Sequence, residues 1–230
     1  MTFGGWQKIS LLDFPGKIST VLFTNGCVFR CSFCYNPGLV EPPFATTIKE
    51  DVVLKYLADR TNILEGVAIT GGEPAIHSDL PEFLRKVKSL GYPVKLDTCG
   101  YLPHALERLI GEKLIDYVAM DIKAPLAQYA AVTRVPVNTD FILKSISMIM
   151  SSGIPYEFRS TLVDGVHSAE NIVDMARLIS GADAYYLQPF QTSTALLNPD
   201  FLSKRAPTRD KLEVTAARCR KYVKRCEIRG

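Results

Sequence analysis

Long apolar runs are missing from this sequence. No stretch of 18 apolar residues occurs in its 230 positions, so no membrane-spanning helix is expected. The first residues, Met1-Thr2-Phe3-Gly4-Gly5-Trp6-Gln7-Lys8, lack an apolar signal core, which points to a cytoplasmic protein. Internal repeats, low-complexity segments and a linker-like stretch are also absent. The chain therefore reads as one domain over residues 1–230, with 1–20 as a lead-in and 208–230 as a C-terminal helix and tail. There are three histidines, His77, His104 and His167, far apart in sequence; surface or capping positions are expected for them.

What is present is ordinary for a folded domain: 47% hydrophobic and 22% charged residues, enough for a sizeable core. The net charge of +3 is unevenly placed. Residues 201–230 hold 10 Lys/Arg and 3 Asp/Glu, a balance of +7, while the other 200 carry 17 basic and 21 acidic residues, a balance of −4. A basic terminal helix could dock an acidic partner, or simply present a solvated face. No aromatic residues interleave with these charges in a nucleic-acid pattern, so no nucleic-acid partner is expected.

Six cysteines are present, and three lie within eight residues: Cys27-Val28-Phe29-Arg30-Cys31-Ser32-Phe33-Cys34. The spacing is C-x3-C-x2-C. Val21 to Thr24 before it reads as a short strand, and Asn25-Gly26 as a turn. A loop leaving a strand end can aim three sulfurs at one place. Such clustering suits a reducing compartment better than a disulfide framework. Thiolates bind soft metals and iron–sulfur clusters, and three ligands leave one iron of a cubane open. The competing reading is zinc, which would need a fourth ligand, from Cys99 or a histidine.

Strands alternate with helices along the rest of the chain. Strands are expected at Val21–Thr24, Gly66–Thr70, Val94–Thr98, Tyr117–Ile122, Tyr156–Thr161 and Ala184–Pro189. Helices are expected near Leu80–Leu90, Pro103–Ile110, Leu126–Thr133, Phe141–Ser152, Ala169–Ile179 and Arg209–Arg225. An earlier helix would start at a Thr47/Glu50 capping box, with Ile48, Val52 and Tyr56 on one face. Glu227–Arg229 could add an edge segment. This alternation argues for βα units and a parallel sheet. Six strands are too few for a closed eight-stranded barrel. An open, partial (β/α)6 TIM-like barrel fits the count.

Polar groups fall at the C-terminal ends of the expected strands, where parallel α/β folds place their sites. Gly71-Gly72-Glu73-Pro74 follows one strand; glycines let main chain approach a ligand closely, and Glu73 could accept hydrogen bonds from an ammonium group. Asp97-Thr98-Cys99-Gly100 ends another. Asp121 and Lys123 lie two apart and so on one face, as a ligand site or a buried pair. Arg159 sits within a strand, where an ion pair is expected, with Asp97 as a candidate partner. Phe33 reads as core on its own. Cys99 reads as a small buried residue, and Cys219 and Cys226 as structural residues on the terminal helix.

These motifs together resemble the radical S-adenosylmethionine (radical SAM) superfamily over nearly the whole chain. The resemblance implies one [4Fe–4S] cluster on Cys27, Cys31 and Cys34, with SAM chelating the open iron. One-electron reduction would then release a 5′-deoxyadenosyl radical. It also implies SAM contacts from Phe33 (adenine), Gly71, Gly72 and Glu73 (the amino group), Lys123 (the carboxylate), and Asp97, Asp121 and Arg159. In the stretch Leu187-Gln188-Pro189-Phe190-Gln191, Gln191 would face the ribose. Asp97-Thr98-Cys99-Gly100 and Asp121-Ile122-Lys123 resemble segments of glycyl-radical-enzyme activating enzymes, with Cys99 in place of the usual Asn. The Cys34-Tyr35-Asn36-Pro37 stretch is similar to theirs, with Tyr35 replacing a histidine. Leu12-Asp13-Phe14-Pro15-Gly16-Lys17 resembles the activating proteins of anaerobic ribonucleoside-triphosphate reductases. The implied partners are a glycyl radical enzyme and a flavodoxin- or ferredoxin-like electron donor. The alternatives are a radical SAM enzyme acting on a peptide or a small molecule such as a deazapurine precursor, and a non-catalytic zinc module.

Overall fold

A computed structural model describes residues 1–192 and 195–230. Their contacts divide into two compact units: Met1–Val28 with Gly38–Val118, and Phe29–Pro37 with Ala119–Gly230. Among the described residues no helix is long and apolar enough to cross a membrane.

The first unit contains β1 (Thr2–Phe3), β2 (Gly5–Ser10), β3 (Ser19–Thr24), β4 (Ile48–Lys49), α1 (Glu50–Ala58), β5 (Gly66–Gly71), α2 (Leu80–Ser89), β6 (Val94–Thr98) and α3 (Pro103–Gly111). Its main sheet has the order β6-β5-β3-β2. β3, β5 and β6 are parallel, with Leu22 opposite Ile69 and Val67 opposite Val94. Val21, Leu22, Val67, Ala68, Ile69 and Leu96 are all fully buried. Consecutive residues are buried on both faces, which is why β3 and β5 carry apolar runs, while β6 buries Lys95 and Asp97 among its apolar residues. α2 covers them with Leu80, Phe83, Leu84 and Val87, and stops at Gly91, whose φ of +88° only glycine adopts freely.

The lead-in adds strands that the sequence did not mark: β2 pairs antiparallel with β3, and β1 with β4. β2 is a half-exposed edge strand, so its sequence lacks a strong apolar signal. The Thr47/Glu50 capping box does not form. Lys49 is the N-cap of α1, and the Glu50 carboxylate is held by the terminal ammonium of Met1 at 2.6 Å and by Lys86 at 2.8 Å. The buried face of α1 is Val53 and Leu57, while Val52 is exposed.

β7 (Tyr117–Asp121) leads into the second unit, which continues with α4 (Tyr129–Thr133), α5 (Thr139–Ser151), β8 (Tyr156–Leu162), α6 (Ala169–Leu178), β9 (Tyr185–Pro189), α7 (Arg209–Cys219) and β10 (Cys226–Ile228). The order is β10-β9-β8-β7. β8 and β10 flank β9 in parallel, with Phe158 and Cys226 both opposite Tyr185. Ser168 caps α6 in a reciprocal capping box with Asn171. All six expected strands are present.

The terminal helix is shorter than expected. α7 ends at Cys219 because the following backbone pairs elsewhere: Tyr222 accepts from the Gly181 amide, and Lys224 donates to Ala182. Cys219 and Cys226 therefore do not share a helix; one closes α7, the other opens β10, and both are buried, with the Cys219 thiol donating to the Ile172 carbonyl at 3.8 Å. Three of the ten basic residues here pair with distant carboxylates, Arg218 with Glu170, Lys224 with Asp183 and Arg229 with Glu157, each at 2.7 Å.

Candidate functional site

In the first unit the chain leaves β3 through Gly26, whose φ is +83°. The Gly26 amide donates to the Leu39 carbonyl at 2.6 Å and the Cys27 amide to that of Val40 at 3.3 Å, so the root of the cysteine loop is pinned. The glycine pair after β5 packs against this root. The Gly72 amide donates to Thr24 at 2.9 Å, and the Glu73 amide to Gly26 at 2.8 Å. Gly71 has φ +115°, and a Cβ on it would lie 2.3 Å from the Thr24 nitrogen. One on Gly72 would lie 1.9 Å from the Gly26 carbonyl oxygen. Close approach of backbone to backbone thus explains both glycines. Gly72→Ala should destabilise the protein by about 2–3 kcal/mol through overpacking, read by thermal unfolding of the apoprotein. A wild-type melting temperature would show that the loop relaxes freely.

Glu73 is 1% exposed and fully engaged. Its Oε1 accepts from the Thr98 hydroxyl at 2.8 Å and the Ala75 amide at 3.1 Å; its Oε2 accepts from the Cys99 amide at 2.6 Å. Burial pushes its carboxyl pKa up, against the pull of these donors. Glu73 therefore braces the Gly-Gly turn to the end of β6. Cys99 is buried beside it. Asp97 is held by the ammonium of Lys95, a 2% exposed lysine on the same face of β6. The sequence reading missed Lys95, although its spacing of two from Asp97 was a usable signal. His77, at the end of the Gly-Gly-Glu-Pro turn, binds the Asn25 carbonyl through Nε2 at 2.7 Å.

The second unit holds the rest of the cysteine loop. The Arg30 amide donates to Thr133 at 2.8 Å, the Cys34 amide to Cys31 at 3.0 Å, and the Asn198 amide to Ser32 at 3.1 Å. Cys31 is buried and Cys34 half-buried. Burial pushes the Cys31 thiol up to about 11, against the pull of the Lys123 ammonium. At the end of β7, Asp121 accepts from Lys123 Nζ at 3.0 Å and from Arg159 Nε at 2.7 Å. The expected same-face Asp121–Lys123 pair is present, and the Arg159 ion pair includes Asp121. Burial would raise the Asp121 carboxyl, but Arg159 and Lys123 outweigh it and hold the group well below the usual carboxylate range.

Phe33 is buried, edge-on to His167 with ring centres 5.7 Å apart. His167 is itself 3% exposed, not at the surface as expected. Gln191 is exposed; its backbone amide donates to the Tyr35 hydroxyl at 2.8 Å, and the Tyr35 ring stacks on Phe190.

The family model described as the Radical SAM superfamily matches residues 21–179. The chain belongs to the radical SAM superfamily. It is 31% identical to a putative glycyl-radical enzyme activating enzyme of Methanocaldococcus jannaschii, across 98% of this chain and 94% of that one. It is 28% identical to the pyruvate formate-lyase-activating enzyme of Clostridium pasteurianum, across 81% and 80%. Among solved structures it is similar to Streptococcus suis SuiB bound to S-adenosylmethionine, with a TM-score of 0.68, 16% identity and coverage of 91% of this chain and 52% of that one. A domain of a pyruvate-formate lyase-activating enzyme from Bacteroides vulgatus gives a TM-score of 0.58 at 19% identity, covering 72% and 99%. At such identities the likeness is one of fold: the α/β radical SAM fold, with mostly parallel strands.

This radical SAM enzyme therefore belongs with proteins whose cofactors are a [4Fe–4S] cluster and SAM. Its donor set suits a cluster. Three thiols stand on a loop pinned at both ends by main-chain hydrogen bonds, and none is in a disulfide. Among the described residues no three His, Cys, Asp or Glu side chains are gathered to hold a metal ion, so the fit rests on that donor set.

Proposed function

We propose that this radical SAM enzyme activates a glycyl radical enzyme by removing a Cα hydrogen from one glycine of that partner, and that the partner is an anaerobic ribonucleoside-triphosphate reductase. The observation that carries the reading is the 31% identity, across 98% of this chain, with a putative glycyl-radical enzyme activating enzyme. The run Leu12-Asp13-Phe14-Pro15-Gly16-Lys17 supports the choice of partner. A flavodoxin- or ferredoxin-like protein would supply the electron. The family model runs through both compact units, which supports reading the chain as one core domain.

Cys27, Cys31 and Cys34 would hold the cluster. When bound, the cluster and SAM supply a 5′-deoxyadenosyl radical through one-electron cleavage of the sulfonium. The residues of the chain then have distinct tasks. Lys123 and Arg159 present cationic donors suited to the SAM carboxylate, and Asp121 sets their spacing. Main-chain groups of Gly71 and Gly72 would meet the amino group. Glu73, with both oxygens already occupied, supports them from behind. Asp97, with Lys95 as its internal counterion, would lie near SAM. Phe33 would flank adenine, and Gln191 could hydrogen-bond a ribose hydroxyl.

The test is paramagnetic resonance. Reduced, reconstituted enzyme mixed with SAM and an anaerobic ribonucleoside-triphosphate reductase should yield a glycyl-radical doublet. A doublet only with a pyruvate formate-lyase would move the partner. No doublet with any glycyl radical enzyme, despite SAM cleavage, would favour a peptide or small-molecule substrate.

A further inference from the structure

His167 was not singled out by the motifs, yet three neighbours of the candidate site converge on it. Val163, which follows β8, donates its amide to His167 Nδ1 at 3.1 Å. Nδ1 is therefore the acceptor and Nε2 carries the proton. Nε2 lies 3.0 Å from the carbonyl oxygen of Lys123 and donates to it. The ring edge meets Phe33, the residue before Cys34. Burial holds the imidazole below its ordinary pKa, in keeping with one neutral tautomer.

The same ring forms a wall of a cavity of about 540 Å³ between α6 and α7, lined also by Asp164, Ser168, Ile172, Leu212 and Thr215. His167 thus lines this cavity and also packs on Phe33, in the cysteine segment of its unit.

We infer that His167 is a positioning residue for the SAM site: it fixes the Lys123 main chain and the Phe33 ring, and its bulk seals the cysteine segment from the cavity behind. This rests on the reading of Lys123 and Phe33 as SAM contacts. The two tasks separate chemically. Hydrogen bonding to Lys123 needs a donor near Nε2, which glutamine can supply. Sealing needs only volume, which phenylalanine supplies.

The experiment uses the full chain, reconstituted anaerobically, and two readouts that need no partner enzyme: equilibrium dialysis of labelled SAM, and the rate of iron release to a chelator. His167→Ala should weaken SAM binding about tenfold, the worth of one buried hydrogen bond, and speed iron release several-fold. His167→Gln should recover most of the affinity. His167→Phe should recover slow iron release but not affinity. Wild-type behaviour of the alanine variant would overturn the inference. So would equal failure of all three variants in step with lower melting temperatures, since that is the signature of plain packing. Because neither readout involves the glycyl radical, failure here is distinguishable from failure of the proposed partner.

Discussion

Cys31→Ala, reconstituted anaerobically with iron and sulfide, should retain iron only at background, against about four atoms per wild-type chain. Cys31 is the most buried thiol of the loop. Its segment is tied down by the Cys34 amide on its own carbonyl and by Arg30 on Thr133, so no neighbouring thiol can slide into its place. Of the nearby polar groups, Asp121 is already committed to Arg159 and Lys123. A cluster on two thiolates has lost a third of its protein anchors, and SAM cleavage should be lost with it. The apoprotein should melt within a few degrees of wild type, since Ala removes one small buried group. Cys99→Ala is the control. Cys99 lies beside Glu73 at the end of β6, and its loss should leave the iron content unchanged. Full iron in Cys31→Ala, or loss of iron only in Cys99→Ala, would overturn the ligand assignment.

The strands were legible for a physical reason. Val21–Leu22 and Val67–Ile69 are buried on both faces, so each reads as an apolar run, and Val94–Thr98 is bounded by Pro93 and Gly100. The cysteine loop was legible because its chemistry is local in sequence. What could not be read were choices made by distant partners. β2 is a strand only because β3 offers it an edge. α7 stops at Cys219 because residues 181–185 take up the following backbone, a competition invisible to helical periodicity. Glu73 looked like a ligand-facing carboxylate; its three donors come from Ala75, Thr98 and Cys99, and the last two lie on another strand's end. His167 gave no local sign, since its partners sit at positions 33, 123 and 163.

Asp121→Asn tests the electrostatic half of the site. In wild type one carboxylate faces two cations, Arg159 Nε at 2.7 Å and Lys123 Nζ at 3.0 Å, all three groups being at most a quarter exposed. The amide cannot neutralise either cation, and the pair is left to repel. Breaking such a partly buried set should cost about 3 kcal/mol. That corresponds to roughly 6–12 °C in melting temperature for a chain of this size. The sign with pH follows from the depressed carboxyl pKa. A folded-state value below the unfolded one means that the stabilisation is complete above the ordinary carboxylate range, about pH 4, and is lost as pH falls through the folded value. The gap between wild type and Asp121→Asn should thus stay constant from neutral pH to about pH 5 and narrow only in stronger acid. SAM affinity separates two roles. If Lys123 and Arg159 acted only as loose positive charge, deleting Asp121 would strengthen binding of the SAM carboxylate. If Asp121 sets their geometry, binding weakens although the site has become more positive. A loss of about tenfold is expected, equivalent to one charge-assisted hydrogen bond out of register. Tighter binding in Asp121→Asn would remove the positioning role from Asp121.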